Sequence, residues 1–75
     1  MSEVIEASTP WRRVFTRFGV SQNQFAQAIG AHRSKVSRAL ADDRGLINGT
    51  DQEKIMQAAK MRGVTIPAED FLPSV

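Results

Sequence analysis

The chain has 75 residues, 41% of them hydrophobic and 24% charged, with a formal net charge of +2, which suits one folded domain and not two. It has no Cys and a single His, so disulfides and thiolate metal sites are excluded, and we expect neither a metal nor a cofactor. Because it shows no long apolar run and no signal-peptide core, we predict a cytoplasmic protein without a membrane partner.

The first predicted helix follows a short arm. Residues 1–8 show little periodicity and are predicted to form a flexible N-terminal arm. Thr9 and Pro10 are residue types favoured at the N-cap and the first helical position. Gly19 is typical of the residue that ends a helix. Between them, one apolar stripe at helical spacing is formed by Trp11, Val14, Phe15 and Phe18.

Two short helices are predicted next, separated by a tight turn. Ser21 and Gln24 form a capping box, and Val20 and Phe25 form a hydrophobic staple. Gly30 ends this helix after about nine residues. The following helix begins almost at once, and its apolar positions are Val36, Ala39 and Leu40.

The last third of the chain is also predicted to be helical. Thr50 and Glu53 form a second capping box, which opens a helix that runs to about Arg62. Residues 67–72 suit one short helical turn between two prolines. The expected fold class is therefore all-α: a single compact bundle of about five short helices over residues 9–75.

The net charge of +2 conceals a segregation along the chain. Residues 1–6 contain two acids and no base, residues 7–41 contain six bases and no acid, and residues 42–75 contain four bases and six acids. A uniformly basic half is what a polyanion-binding surface needs. A solvated helix face that merely lacks acids would give the same count.

The two middle helices have the spacing of a helix-turn-helix, which we place at residues 21–41. Where two helices cross closely, the first needs a small residue, and Ala26 supplies it. Gly30 follows four residues later, where the chain must turn through a positive φ. Val36, six residues further on, must point back into the core.

Residues 22–40 read Gln-Asn-Gln-Phe-Ala-Gln-Ala-Ile-Gly-Ala-His-Arg-Ser-Lys-Val-Ser-Arg-Ala-Leu, and this segment resembles the helix-turn-helix of phage Cro and repressor proteins. Its Ala39-Leu40 ending is more similar to the Cro members, and the predicted helices after residue 50 agree with the all-helical Cro proteins. The resemblance implies a lambda-repressor-like fold. It also implies a transcriptional regulator that binds a pseudo-palindromic operator in double-stranded DNA as a homodimer.

This motif assigns roles to individual side chains. The exposed face of a recognition helix reads base edges, and here it carries His32, Arg33, Ser34, Ser37 and Arg38. Each arginine suits guanine, with a phosphate contact as the alternative, and the histidine either caps the helix or contacts a base. Ser34 and Ser37 bond bases or phosphates, with plain solvated hydroxyls as the alternative. Phosphate contacts are predicted for Gln22, Asn23, Lys35, Arg12, Arg13 and Arg17. For the last three, ordinary solvated charges are the alternative.

The dimer interface is predicted to use apolar residues that a small monomer need not cover: Leu46, Ile47, Phe71 and Leu72. The alternative is that all four close the core of the monomer.

Repression by blocking polymerase is the expected function. A phage-type activator, or an antitoxin or adaptor module that binds a partner protein, are the alternatives. An enzyme is not expected, because no nucleophile–base set, paired carboxylates or phosphate loop is present. No small-molecule ligand is expected either.

Overall fold

The computed structural model describes residues 9–73, so the predicted N-terminal arm, residues 1–8, lies outside the described residues. This part of the chain forms four α-helices and one 3-10 turn and contains no strand. The elements are α1 (Pro10–Phe18), α2 (Gln22–Ile29), α3 (Arg33–Ala41), α4 (Gly49–Arg62) and a 3-10 turn (Ala68–Phe71). The predicted all-α class is confirmed. No helix within residues 9–73 is long and apolar enough to cross a membrane.

The start of α1 is locked to the loop that follows α3. The Thr9 hydroxyl accepts a hydrogen bond from the Arg12 amide at 3.3 Å, as the sequence predicts for an N-cap. The Trp11 amide donates to the Gly45 carbonyl at 3.1 Å, and its indole Nε1 donates to the Leu46 carbonyl at 3.0 Å. Gly45 has φ +54, and a Cβ there would lie 2.4 Å from the Thr9 hydroxyl oxygen. Only glycine therefore permits this close approach.

The core is built around Phe25 of α2, which is fully buried. Three aromatic rings of α1 meet the Phe25 ring edge to face, with centroid distances of 6.3, 5.4 and 4.9 Å for Trp11, Phe15 and Phe18. Such pairs add about 0.5–1.5 kcal/mol each beyond the area that they bury. The other buried apolar side chains come from all four helices and from the segment before the 3-10 turn: Val14, Ala26, Ile29, Val36, Ile55, Ala58, Ala59 and Ile66.

α2 and α3 pack together across the predicted turn. The predicted capping box is confirmed, because the Ser21 hydroxyl accepts from the Gln24 amide and the Gln24 side chain accepts from the Ser21 amide, both at 3.2 Å. Gly30 ends α2 with φ +70, which a residue with a Cβ adopts only under strain. Ala26 is 2% exposed and Val36 is completely buried. The small residue and the inward-pointing valine thus occupy the positions that the sequence predicts.

The predicted start of α4 is wrong by two residues. Its N-cap is Asn48, whose side-chain oxygen accepts from the Asp51 amide at 2.8 Å, and the helix begins at Gly49. Thr50 therefore lies inside the first turn, and no Thr50–Glu53 capping box forms. Asn48 and Thr50 are both good N-cap residues. The earlier cap places Asp51 in the third helical position, where the residue is 5% exposed and its carboxylate faces α3.

The 3-10 turn is held against α1 by a buried carboxylate. Asp70 is 5% exposed, and its Oδ2 accepts from Arg17 Nε at 2.8 Å. Arg13 Nη2 donates to the main-chain carbonyls of Asp70 and Leu72, and Arg13 Nε lies 4.0 Å from Asp70 Oδ1. Two cations of α1 thus fix the end of the described chain.

Candidate nucleic-acid interface

The beginnings of α2 and α3 meet at a shallow recess on the surface. Its lining is entirely polar or charged, and every member is exposed to solvent. The lining residues are Ser21, Gln22, Asn23, His32, Arg33, Ser34, Ser37 and Arg38. This set contains all five predicted base-reading residues and two of the six predicted phosphate contacts. The structure therefore brings together seven residues that the sequence singled out.

The helical period explains why these side chains share one face of α3. Residues 33, 34, 37 and 38 follow the i, i+1, i+4, i+5 pattern, which repeats on one side of a helix. Val36 points the opposite way into the core, and Ala39 and Leu40 pack against that core. The first residues of α2 line the same recess as the first turn of α3.

His32 is the N-cap of α3. Its Nδ1 accepts a hydrogen bond from the Ser34 amide at 3.2 Å and lies 2.8 Å from the Ser34 hydroxyl oxygen. The sequence left open whether His32 caps the helix or contacts a base. In the structure the Nδ1 side of the ring caps the helix, and the residue remains exposed at the recess.

Arg33 and Arg38 supply the positive charge of the recess. Within residues 9–73, no carboxylate lies within ion-pair distance of either guanidinium. The N-terminus of α2, at Gln22 and Asn23, adds amide donors and the positive end of a helix dipole. The recess thus presents two guanidinium groups and several uncharged donors, a combination that suits phosphate oxygens and the acceptor atoms of base edges.

Lys35 does not belong to this recess. Its Nζ lies 2.8 Å from Asp51 Oδ1, and the Asp51 side chain is 8% exposed. Lys35 thus forms an ion pair between α3 and the first turn of α4, and its predicted phosphate contact stays a prediction. Lys35 precedes Val36, so its side chain leaves the helix beside the core and not on the face of Arg33 and Arg38.

The three predicted phosphate contacts of α1 also lie elsewhere. Arg12 Nε donates to the Leu40 carbonyl at the end of α3, at 2.8 Å, and Arg13 and Arg17 bind the 3-10 turn through Asp70. These guanidinium groups attach neighbouring elements to α1. Their predicted phosphate contacts stay predictions, and any phosphate would compete with intramolecular partners from distant parts of the chain.

Asp51 and Asp70 are the residues that the sequence analysis missed. Both occur in the first turn of a helical element, where acids are common on exposed surfaces because of the helix dipole. No local pattern distinguishes a buried acid from an exposed one at such a position. The structure shows that each is buried and paired with a cation from the basic half of the chain.

The four predicted dimer residues divide into two groups. Ile47 and Phe71 pack against the hydrophobic core, as the alternative interpretation proposed. Leu46 and Leu72 are 49% and 59% exposed. Leu46 lines a recess together with Pro73, the residue that follows Leu72.

A larger recess, of about 910 Å³, lies between α4 and the extended segment before the 3-10 turn. Its lining includes Met56, Val64 and Ile66, and one base, Lys60, is balanced by one acid, Glu53. Among the described residues, no three His, Asp or Glu side chains come together as a metal site. The polar recess at α2 and α3 is therefore the better candidate for a charged ligand.

Comparison of the chain with protein-family models, with curated proteins and with solved structures gave no match. What the recess binds has to follow from its own residues and charges.

Proposed function

We propose that α2 and α3 form a helix-turn-helix that binds double-stranded DNA, with α3 as the recognition helix in the major groove. The observation that carries the proposal is the recess itself: seven residues selected from the sequence for DNA contact line one exposed surface. In the described part of the chain, the two arginines of that surface have no carboxylate partner. Both are thus available to an external anion.

In this proposal, α3 enters the groove by its N-terminal half. Arg33 and Arg38 donate to guanine O6 and N7, which match a guanidinium in a bidentate arrangement. Ser37, between them on the same face, contacts an adjacent base edge. Gln22 and Asn23 bind a phosphate at the positive end of α2, which sets the orientation of α3 on the duplex without reading sequence.

We further propose that the protein is a transcriptional regulator that acts as a dimer, as its resemblance to Cro proteins implies. Two copies would place their recognition helices in successive major grooves, about 34 Å apart on a pseudo-palindromic operator. Leu46 and Leu72 are the predicted dimer residues still exposed in the monomer, and they are the candidates for contact with the second copy. Binding over a promoter would exclude polymerase.

The test combines selection and titration. Duplexes that the protein retains from a random pool should converge on an inverted repeat, and sedimentation should show two protein molecules on each recovered site. The logarithm of the association constant should fall linearly with the logarithm of salt concentration, by about 0.9 per phosphate contacted. Absence of duplex binding, or binding that salt does not weaken, would refute DNA recognition. One protein per recovered duplex would refute the dimer alone.

A further inference from the structure

The N-cap of α3 determines where the proton of the His32 imidazole lies. A main-chain N–H can only donate, and the Ser34 amide points at His32 Nδ1 at 3.2 Å. Nδ1 must therefore be the acceptor and carries no proton. A neutral imidazole has one N–H, so the proton lies on Nε2. His32 consequently presents a hydrogen-bond donor on the side of the ring away from the cap.

The same contact determines the polarity of the Ser34 hydroxyl. Ser34 Oγ lies 2.8 Å from His32 Nδ1. Because Nδ1 has no proton to donate, a hydrogen bond at this distance requires the hydroxyl to donate, and it shares the Nδ1 lone pair with the Ser34 amide. A free serine hydroxyl rotates and serves either as donor or as acceptor. Here the hydroxyl hydrogen already bonds His32 Nδ1, so towards DNA the Ser34 Oγ can only accept.

We propose that this cap makes His32 and Ser34 a pair of opposite polarity that determines sequence specificity; the inference rests on the proposed DNA binding. In the major groove, cytosine and adenine present an amino group, whereas guanine and thymine present only acceptors. Ser34 as an obligate acceptor selects cytosine or adenine. His32 as an obligate donor selects a base with N7 or a keto oxygen and rejects cytosine.

Whether the Ser34 hydroxyl donates or accepts therefore depends on His32, and this dependence can be tested.

Three variants separate the contribution of the Ser34 hydroxyl from that of the His32 acceptor. Ser34→Ala keeps the main-chain N–H and hence the His32 tautomer. His32→Asn keeps a capping oxygen that accepts from Ser34, because Asn is a favoured N-cap. His32→Gly removes the acceptor and frees the hydroxyl, and glycine is itself tolerated at an N-cap.

The tautomer is tested without DNA. Ring nitrogen NMR spectra of the free protein at neutral pH should show a protonated Nε2 and an unprotonated Nδ1 on its one histidine. A spectrum of the Nδ1-protonated tautomer would overturn the inference and would leave the proposed DNA binding unaffected.

The specificity is tested by selecting duplexes with the wild type and the three variants. Ser34→Ala should reduce a preference for cytosine or adenine at one position of each half-site by about 2–12-fold, the worth of one hydrogen bond. His32→Gly should reduce that same preference although Ser34 is intact, whereas His32→Asn should preserve it. An unchanged Ser34-dependent preference in His32→Gly would overturn the inference alone. Failure of the wild type to bind any duplex would overturn the proposed function as well. Thermal unfolding followed by circular dichroism controls for loss of fold.

Discussion

The arginines of α1 and those of α3 come from the same acid-free half of the chain, but the structure uses them differently. Arg13 and Arg17 lie against Asp70, a buried carboxylate 53 or more residues away along the chain. Arg33 and Arg38 lie in an exposed recess, with no carboxylate within ion-pair distance among residues 9–73. Two regions with equal charge in the sequence therefore differ in the charge that is available to a ligand.

The difference arises because the acidic part of the chain folds back onto the basic part. Asp70 pairs with α1, and Asp51 pairs with Lys35 of α3. A buried carboxylate is costly unless it has a cation and hydrogen-bond donors. Segregation of charge along a sequence consequently does not guarantee segregation in space. The cations that remain available are those whose helix face is not approached by such an acid.

The largest effect should come from removing both arginines of the recess. Arg33→Ala/Arg38→Ala should weaken binding to the selected duplex by about 2–6 kcal/mol, because each base-reading guanidinium is worth about 1–3 kcal/mol. The thermal midpoint should hardly change, since neither side chain has an ion-pair partner in residues 9–73. Fluorescence anisotropy and thermal unfolding measure the two quantities.

A matched control separates local contacts from overall charge. Lys54→Ala/Arg62→Ala removes two exposed cations of α4 and lowers the formal net charge from +2 to 0, as the α3 double variant does. It should weaken binding much less, because neither residue lines the recess. Equal loss in both double variants would mean that binding follows net charge and that the recess is not the interface.

At the contact between α1 and Asp70 we expect the reverse: a loss of stability with little change in DNA affinity. Asp70→Asn removes the charge that Arg13 and Arg17 share, and should lower the free energy of unfolding by about 1–3 kcal/mol. The value lies below that of a fully buried pair because the Arg17 side chain is 49% exposed. Glu69→Gln, at the exposed neighbouring position, should change stability by less than about 0.5 kcal/mol. Denaturant unfolding compares the two.

DNA affinity of Asp70→Asn, measured where the variant is folded, should stay within about threefold of the wild type. A large loss of affinity without a loss of stability would place the α1 arginines in the DNA interface after all.

The smallest effect should come from Lys35. It belongs to α3 but, like Arg17 of α1, it pairs with a buried aspartate. Lys35→Met leaves Asp51 without its cation and should lower the free energy of unfolding by about 1 kcal/mol, since the Lys35 side chain is 45% exposed. The salt slope of DNA binding should be unchanged. A slope that falls by about 1 would instead assign Lys35 to a phosphate. Lys54→Met on α4 serves as the control for loss of one exposed cation.

Helix boundaries were largely predictable because they depend on contacts between close neighbours in the chain. Thr9 and Ser21 cap their helices within three residues, and Gly19, Gly30 and Gly63 end theirs through their own positive φ. The exception is instructive, because Asn48 and Thr50 are competing caps of similar quality. A choice between two local signals that are nearly equal is made by packing, here by the burial of Asp51.

The recess was predictable for a related reason, since helical periodicity alone places Arg33, Ser34, Ser37 and Arg38 on one face of α3. The sequence by itself therefore determined the helices, the turn at Gly30 and the composition of the exposed surface beside it. Only the tertiary structure decided which cations stay available to a ligand and which of the apolar residues near the C-terminus remain exposed. Those outcomes depend on contacts such as Arg17 with Asp70, whose partners are 53 residues apart, and no local pattern records a partner at that distance.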